Sequence, residues 1–150
     1  MQNPETYIEI ALSEAKHAYK KGEVPIGAII VKDGKIIACA FNLRETRRSA
    51  LYHAEILAIK RACRKLKSWR LTGCDMYVTL EPCPMCAGAI LQARISNLFF
   101  GAYDPKGGAC GSVIDVLEAD KFNHNVTVQG GILAQECGGI IKQFFRERRK

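Results

Sequence analysis

The sequence predicts an α/β protein: one domain over residues 1–150, built as a three-layer α/β/α sandwich on a five-stranded mixed sheet whose last two strands are parallel. Three observations lead there. Stretches with apolar residues at helical spacing alternate with short apolar runs, the pattern of helices covering both faces of a sheet. The first two short runs are joined by Asp33-Gly34, a strong hairpin signal, so they pair antiparallel. The last two are separated by about 25 residues, which suits a parallel crossover and not a hairpin.

Each element has a local reason. Asn3-Pro4-Glu5 opens a helix with an N-cap, a proline at the first position and an acid in the first turn. Tyr7, Ile8, Ala11, Leu12, Ala15, Ala18 and Tyr19 continue it, and Lys20-Lys21-Gly22 stops it. Residues 26–31 form a strand, 32–35 a turn, and 36–41 the returning strand. Residues 42–52 are a polar loop made basic by Arg44, Arg47 and Arg48. An amphipathic helix runs over 53–66, its last turns cationic at Lys60, Arg61, Arg64 and Lys65, charges the helix dipole favours. The third strand is 75–80, followed by a tight turn and a helix to about Ala93. The fourth is 97–101. Residues 102–111 are rich in glycine and read as a mobile loop, and 112–118 as a short helix capped by Ser112. Residues 126–129 are the fifth strand. A final helix is expected from Gly131 onward, with Ile132, Leu133, Cys137, Ile140, Ile141, Phe144 and Phe145 facing inward and a basic end, Arg146 to Lys150. Gly138-Gly139 weaken its middle.

Composition narrows the class. With 48% hydrophobic and 25% charged residues the chain reads as an ordinary soluble globular protein. No apolar run approaches the ~20 residues that span a bilayer, and the N-terminus lacks a charged-then-apolar leader, so a cytoplasmic location and no membrane partner are expected. Seven cysteines, an odd number, in a chain of 150 residues fit reduced thiols and a metal site better than a disulfide framework. The net charge of +7 points to a polyanionic partner such as nucleic acid.

The chemistry centres on Thr79 to Ala93. Cys83 and Cys86 are spaced to share one side of a helix start, where free N–H groups and the helix dipole favour thiolates. His53-Ala54-Glu55 opens the preceding helix. Two thiolates and one imidazole are three zinc ligands, and three protein ligands with an open position describe a catalytic zinc. Three other uses of a Cys-x-x-Cys stand beside this: a thioredoxin-like redox pair, a four-ligand structural zinc completed by Cys74, Cys110, Cys137 or His124, and two buried apolar cysteines. The His-Ala-Glu favours catalysis, because redox chemistry has no use for it. His53 and Glu55 are two apart, so both reach one site only if His53 lies at the very start of its helix, before the backbone turns helical. Beside such a zinc, Glu55 would take a proton from water, give it to a ring nitrogen and protonate a leaving amine, the transfers that hydrolytic deamination of an amino-substituted base requires.

His53-Ala54-Glu55 with Pro82-Cys83-Pro84-Met85-Cys86 resembles the cytidine-deaminase superfamily signature, for which this chemistry is known. Residues 23–28, 77–83, 104–108, Phe122-Asn123-His124 and Phe144-Phe145-Arg146 further resemble, in order, the bacterial tRNA adenosine deaminases within it; the similarity spans essentially the whole chain. The resemblance implies a cytidine-deaminase-like fold and a homodimer that converts the wobble adenosine of an arginine tRNA anticodon to inosine. It implies one Zn2+ per subunit on His53, Cys83 and Cys86, with Glu55 as proton shuttle. It also implies substrate contacts by Asn42, Ala54, Asp104, Lys106, Asn123, Phe145 and Arg146, and by the tail to Arg149. One departure stands out: where the family usually has Pro-Thr-Ala before the histidine, this chain has Ala50-Leu51-Tyr52, and Tyr52 puts the shape of the pocket rim in question. A guanine deaminase on the same scaffold, and an RNA-binding protein with a structural zinc, are the competing readings.

Overall fold

A computed structural model describes residues 3–148. The elements are α1 (Pro4–Lys20), β1 (Gly27–Lys32), β2 (Lys35–Phe41), α2 (Ala54–Leu66), β3 (Cys74–Leu80), α3 (Pro84–Gln92), β4 (Asn97–Ala102), β5 (Thr127–Gln129) and α4 (Ala134–Arg148). The five strands form one sheet in the order β2-β1-β3-β4-β5. β1 pairs antiparallel with β2 and with β3, while β3–β4 and β4–β5 are parallel. The mixed sheet with a parallel final pair is as expected, and the parallel part extends back to β3.

Local chemistry accounts for the edges of the elements. The Asn3 side chain accepts from the Thr6 N–H at 3.0 Å, Pro4 takes the first turn of α1, and Gly22 beyond its end has φ 77°. At the hairpin, Asp33 and Gly34 both have positive φ, 52° and 75°, the conformation a two-residue type I′ turn requires.

Side-chain alternation along the strands divides the core into two layers. Ala28, Ile30, Met76 and Val78 pack with Ala54, Leu57, Ala58, Ala87 and Ile90 of α2 and α3 on one face. Ile29, Val31, Tyr77 and Ala102 pack with Tyr7 and Ile8 of α1 and Cys137 of α4 on the other. This is the expected three-layer sandwich.

Four segments depart from expectation. Residues 112–118 are turns with an isolated bridge between Cys110 and Asp115, not a helix, because the groups of Ser112 bond elsewhere. The loop from 102 to 111 is tied down rather than loose, as described below. The last helix begins at Ala134: Gly131 and Leu133 have positive φ, and the N–H groups of Gly131 and Ile132 bond Gly101 and Phe100, continuing the sheet edge. Phe144 faces inward, with its ring 5.7 Å from that of Tyr19, but Phe145 is 45% exposed. Adjacent helical residues point about 100° apart, so one of the two must leave the core. Gly138-Gly139 lie within an unbroken α4. Arg149 and Lys150 of the expected basic end lie outside the described residues.

The topology fixes where a site can form. β2 and β3 are both antiparallel to β1, so their carboxyl ends lie at the same edge of the sheet. α2 follows β2 and α3 follows β3 in the same helical layer. Both helices therefore begin at that edge, and their N-termini converge.

Candidate active site

His53 is the N-cap of α2, with extended backbone (φ −76°, ψ 154°), and Ala54 is the first helical residue. The non-helical residue turns the imidazole back toward the side on which Glu55 lies, which is what the two-residue spacing demanded. Cys83 is the N-cap of α3 (φ −75°, ψ 174°), with Pro84 in the first turn where its missing N–H costs nothing. Cys86, one turn on, is fully buried. His53 Nδ1 lies 3.7 Å from Cys83 Sγ and 3.5 Å from Cys86 Sγ, and the three ligand atoms are all within 4.8 Å of one another.

These distances can be tested against zinc. Bonds of about 2.3 Å to sulfur and about 2.0–2.1 Å to nitrogen, at a tetrahedral angle, place S and N about 3.6 Å apart. The observed separations bracket that value without any movement. The donor set also fits, because two thiolates and an imidazole suit zinc. Among the described residues this is the cluster of three that could hold a metal, and Cys74, Cys110, Cys137 and His124 are not part of it. All seven cysteines are free thiols.

Glu55 is 4% exposed. Burial first, and then the neighbouring Cys83, push its carboxyl up to about 7, although its own backbone N–H, the His53 ring and a hydrogen bond with Cys86 pull the other way. Cys83 is brought down to about 4, chiefly by a hydrogen bond from the Cys86 thiol and also by His53. His53 is raised, foremost by its bond to Cys83. The cluster thus couples a thiolate, an imidazole and a carboxyl poised near neutrality.

A cavity of about 90 Å³ opens on His53 and Ala54, lined also by Val24, Ile26, Asn42 and Arg44. Asn42 is 5% exposed; its Nδ2 donates to Val24 O and its Oδ1 accepts from Arg44 N–H, leaving one hydrogen and one lone pair unused. A groove of about 420 Å³ shares Val24, Asn42 and Arg44 with this cavity and runs to Phe144, Phe145 and Arg148. Arg148 fixes that wall by donating to Gly22 O at 2.8 Å. Arg146 is exposed and outside the groove lining. Tyr52 does not line the cavity: it packs on the α2 side of the core with Lys60 Nζ 5.7 Å from its ring.

The remaining expected contact residues are placed differently. Asp104 Oδ1 accepts from the N–H groups of Lys106 and Gly107, so this carboxylate shapes its own turn, and Lys106 is exposed. Asn123 lies away from the metal cluster, beside Leu91 and Arg94 past the far end of α3. Within one chain the structure does not bring Asn123 to the cavity.

Two buried carboxylates at the site edge escaped the sequence reading. Glu81, 2% exposed and two residues before Cys83, accepts from the N–H groups of Asp104 (2.9 Å), Cys110 (3.0 Å) and Ser112 (3.1 Å) and from the Ser112 hydroxyl. This holds the loop 104–112 against the ligand turn, and a Cβ on Gly108 would lie 2.3 Å from the Glu81 carboxyl carbon. Glu23, 1% exposed, accepts from the N–H groups of Glu45 and Thr46 and holds the loop bearing Asn42 and Arg44. Burial raises both carboxyls, but the bonds they receive outweigh it and hold them below the usual carboxylate range. For Glu81 the available signal was an acid directly after an apolar strand with no cation near it in sequence; Glu23, which follows Lys20-Lys21, carried no such signal.

The family description MafB19-like deaminase matches residues 2–149. A tRNA-specific adenosine deaminase of Bacillus subtilis (strain 168) is 53% identical over 150 residues, which is 100% of this chain and 93% of that protein. The chain belongs to the tRNA-specific adenosine deaminases. Consistent with that, a solved structure of a tRNA:A34 deaminase is 44% identical, with a TM-score of 0.86 over 90% of this chain and 98% of that one. A guanine deaminase of Bacillus subtilis is also similar, at 33% identity and a TM-score of 0.67 over 97% and 95% of the two chains. Against the tRNA-specific adenosine deaminases both sequence identity and structural agreement are higher than against this free-base enzyme.

Proposed function

We propose that this enzyme, a deaminase of adenosine 34 in tRNA, acts as a cytoplasmic homodimer that hydrolyses adenosine to inosine at the wobble position of an arginine tRNA anticodon, with one zinc per subunit. The observation that carries the chemistry is the buried Glu55 carboxyl against a His53–Cys83–Cys86 cluster of zinc dimensions. When bound, zinc supplies Lewis acidity that makes water a nucleophile near neutral pH.

The chain's own groups do the rest. A Glu55 carboxylate oxygen accepts a proton from the attacking water and returns it to the purine ring nitrogen. A second transfer by the same carboxyl protonates the exocyclic amine, which leaves as ammonia; water and adenosine become inosine and ammonia. Burial raises the Glu55 carboxyl above its ordinary range, which makes it a readier proton acceptor from water and keeps it able to return the proton. Asn42 retains a donor and an acceptor for the nucleoside. Ala54, with no side chain beyond Cβ, leaves room for the base at the mouth of α2. The groove to Phe145 offers a path for the nucleotides beside the reacting one, and Lys106, Arg146 and the net charge of +7 favour its phosphates. The base of an anticodon loop is already partly unstacked, so extruding it costs less than from a duplex. Exposed Leu51, Val113 and Ile114 are apolar surface that a second copy would cover. Asn123, far from its own cluster, contributes only if the assembled enzyme brings it to the RNA.

The test is a side-by-side turnover assay. Zinc-loaded protein meets an arginine tRNA anticodon stem-loop with wobble adenosine and, separately, guanine, cytidine and free adenosine. Inosine in the stem-loop with the free compounds unchanged is expected. Ammonia from guanine or cytidine with an unchanged stem-loop would overturn the substrate assignment.

A further inference from the structure

The single tryptophan of the chain, Trp69, is 57% exposed at the edge of the sheet opposite the metal cluster. α2 begins just after His53, and its 13 residues carry the chain about 20 Å to that edge. The Arg70 guanidinium carbon lies 4.6 Å from the Trp69 ring centroid and that of Arg94 5.9 Å. Arg94 comes from a different part of the chain, held there because its guanidinium donates to Leu91 O at 3.0 Å at the end of α3. Exposed Arg64, Lys65 and Lys67 lie on the same end of α2, and residues 56–73 contain no acid at all. The helix dipole accounts for Arg64 and Lys65. The end of α3 accounts for Arg94 in the same way, and Lys67 is the C-cap of α2, but neither helix end accounts for Arg70 or for a large aromatic left in water among these cations.

We infer that this end of the molecule is a second RNA-binding surface, on which an unpaired nucleotide stacks at Trp69 in place of a guanidinium now over the ring, while Arg70, Arg94 and Lys67 engage its flanking phosphates. An aromatic platform within a cationic patch is the arrangement by which proteins hold single-stranded nucleic acid without reading its sequence. A second copy of the chain docking here through a two-fold axis would set like charges against each other. The surface rests on the reading of the substrate as an RNA and adds a site remote from the chemistry. It gives the enzyme a grip on parts of an RNA that the wobble nucleotide does not reach.

Because Trp69 is the sole tryptophan, its fluorescence reports on this surface alone. A ten-nucleotide uridine oligoribonucleotide is titrated into the zinc-loaded protein, with inorganic polyphosphate as the phosphate-only control, and inosine formation on the stem-loop is measured on the same preparation. Saturable quenching by the oligonucleotide and none by polyphosphate is expected. The Arg70→Ser/Arg94→Ser variant should need about tenfold more oligonucleotide, with a salt slope smaller by about 1.4. Trp69→Ala should weaken oligonucleotide binding, followed by anisotropy of a labelled copy, by about fivefold or more. Unchanged emission while anisotropy shows the oligonucleotide bound would overturn the inference, as would equal quenching by polyphosphate or an unmoved midpoint in the double variant. Quenching without inosine would leave this surface standing and remove the substrate assignment; inosine without quenching would do the reverse.

Discussion

Replacing Glu81 by glutamine removes one charge and converts one of two accepting oxygens into a donor. The Cys110 and Ser112 N–H groups share Oε2, so the amide oxygen belongs there. The new NH₂ then faces the Asp104 N–H and the Ser112 hydroxyl. The hydroxyl can rotate to accept, but the Asp104 N–H cannot. One partly buried donor is left unpaired, at about 1–3 kcal/mol, and two bonds lose their charge assistance, at about 1 kcal/mol each. A loss of about 3–5 kcal/mol is expected, and at this chain length each 1 kcal/mol moves the melting temperature by roughly 2–4 °C. Glu81→Gln in the zinc-loaded protein should therefore melt about 6–20 °C lower by calorimetry. Since Glu81 anchors the turn carrying Lys106, KM for the stem-loop should rise more than kcat falls. A melting temperature within about 2 °C of the parent, or kcat lost with KM unchanged, would refute the reasoning.

Other outcomes follow from the same geometry. Cys83→Ser or His53→Ala should bind zinc weakly, measured by metal content after dialysis, and should lose inosine formation in proportion to the lost metal. Glu23 and Glu81 sit below their ordinary value of 4.5, so the stability they contribute is present above about pH 4.5 and is lost as pH falls through their folded values. Urea midpoints between about pH 6 and pH 3 should accordingly fall less steeply in Glu23→Gln/Glu81→Gln than in the parent. Tyr52→Ala should leave KM for the stem-loop within about twofold, because its ring packs beside α2 and outside the cavity lining; a larger change would place Tyr52 at the rim.

What could be read from the sequence was what local chemistry decides. The cap at Asn3, the Asp33-Gly34 turn and the proline between the two cysteines act within a few residues, and all three appear in the structure. The position of His53 at the start of α2 was legible too, since only a non-helical residue lets His53 and Glu55 share a site. Where the reading went astray, a distant partner had taken over a local signal. Ser112 resembles a helix cap, yet both its N–H and its hydroxyl go to Glu81, 31 residues away. The glycines of 102–111 suggested mobility, but one of them, Gly108, is what lets the loop close on that carboxylate. Phe145 continues the apolar spacing of α4, though Phe144 already fills the place against Tyr19. The separation of Asn123 from the cluster depends on where α3 ends in space, which no local pattern records.

The measurement closest to the central claim is zinc content and inosine formation on one preparation each of the parent enzyme and Glu55→Ala. The account predicts one zinc per chain in both, with turnover of the stem-loop lowered by about 10²–10⁴ in the variant, the usual worth of a positioned proton shuttle. Full turnover in Glu55→Ala with its zinc in place would contradict it and remove Glu55 from the mechanism.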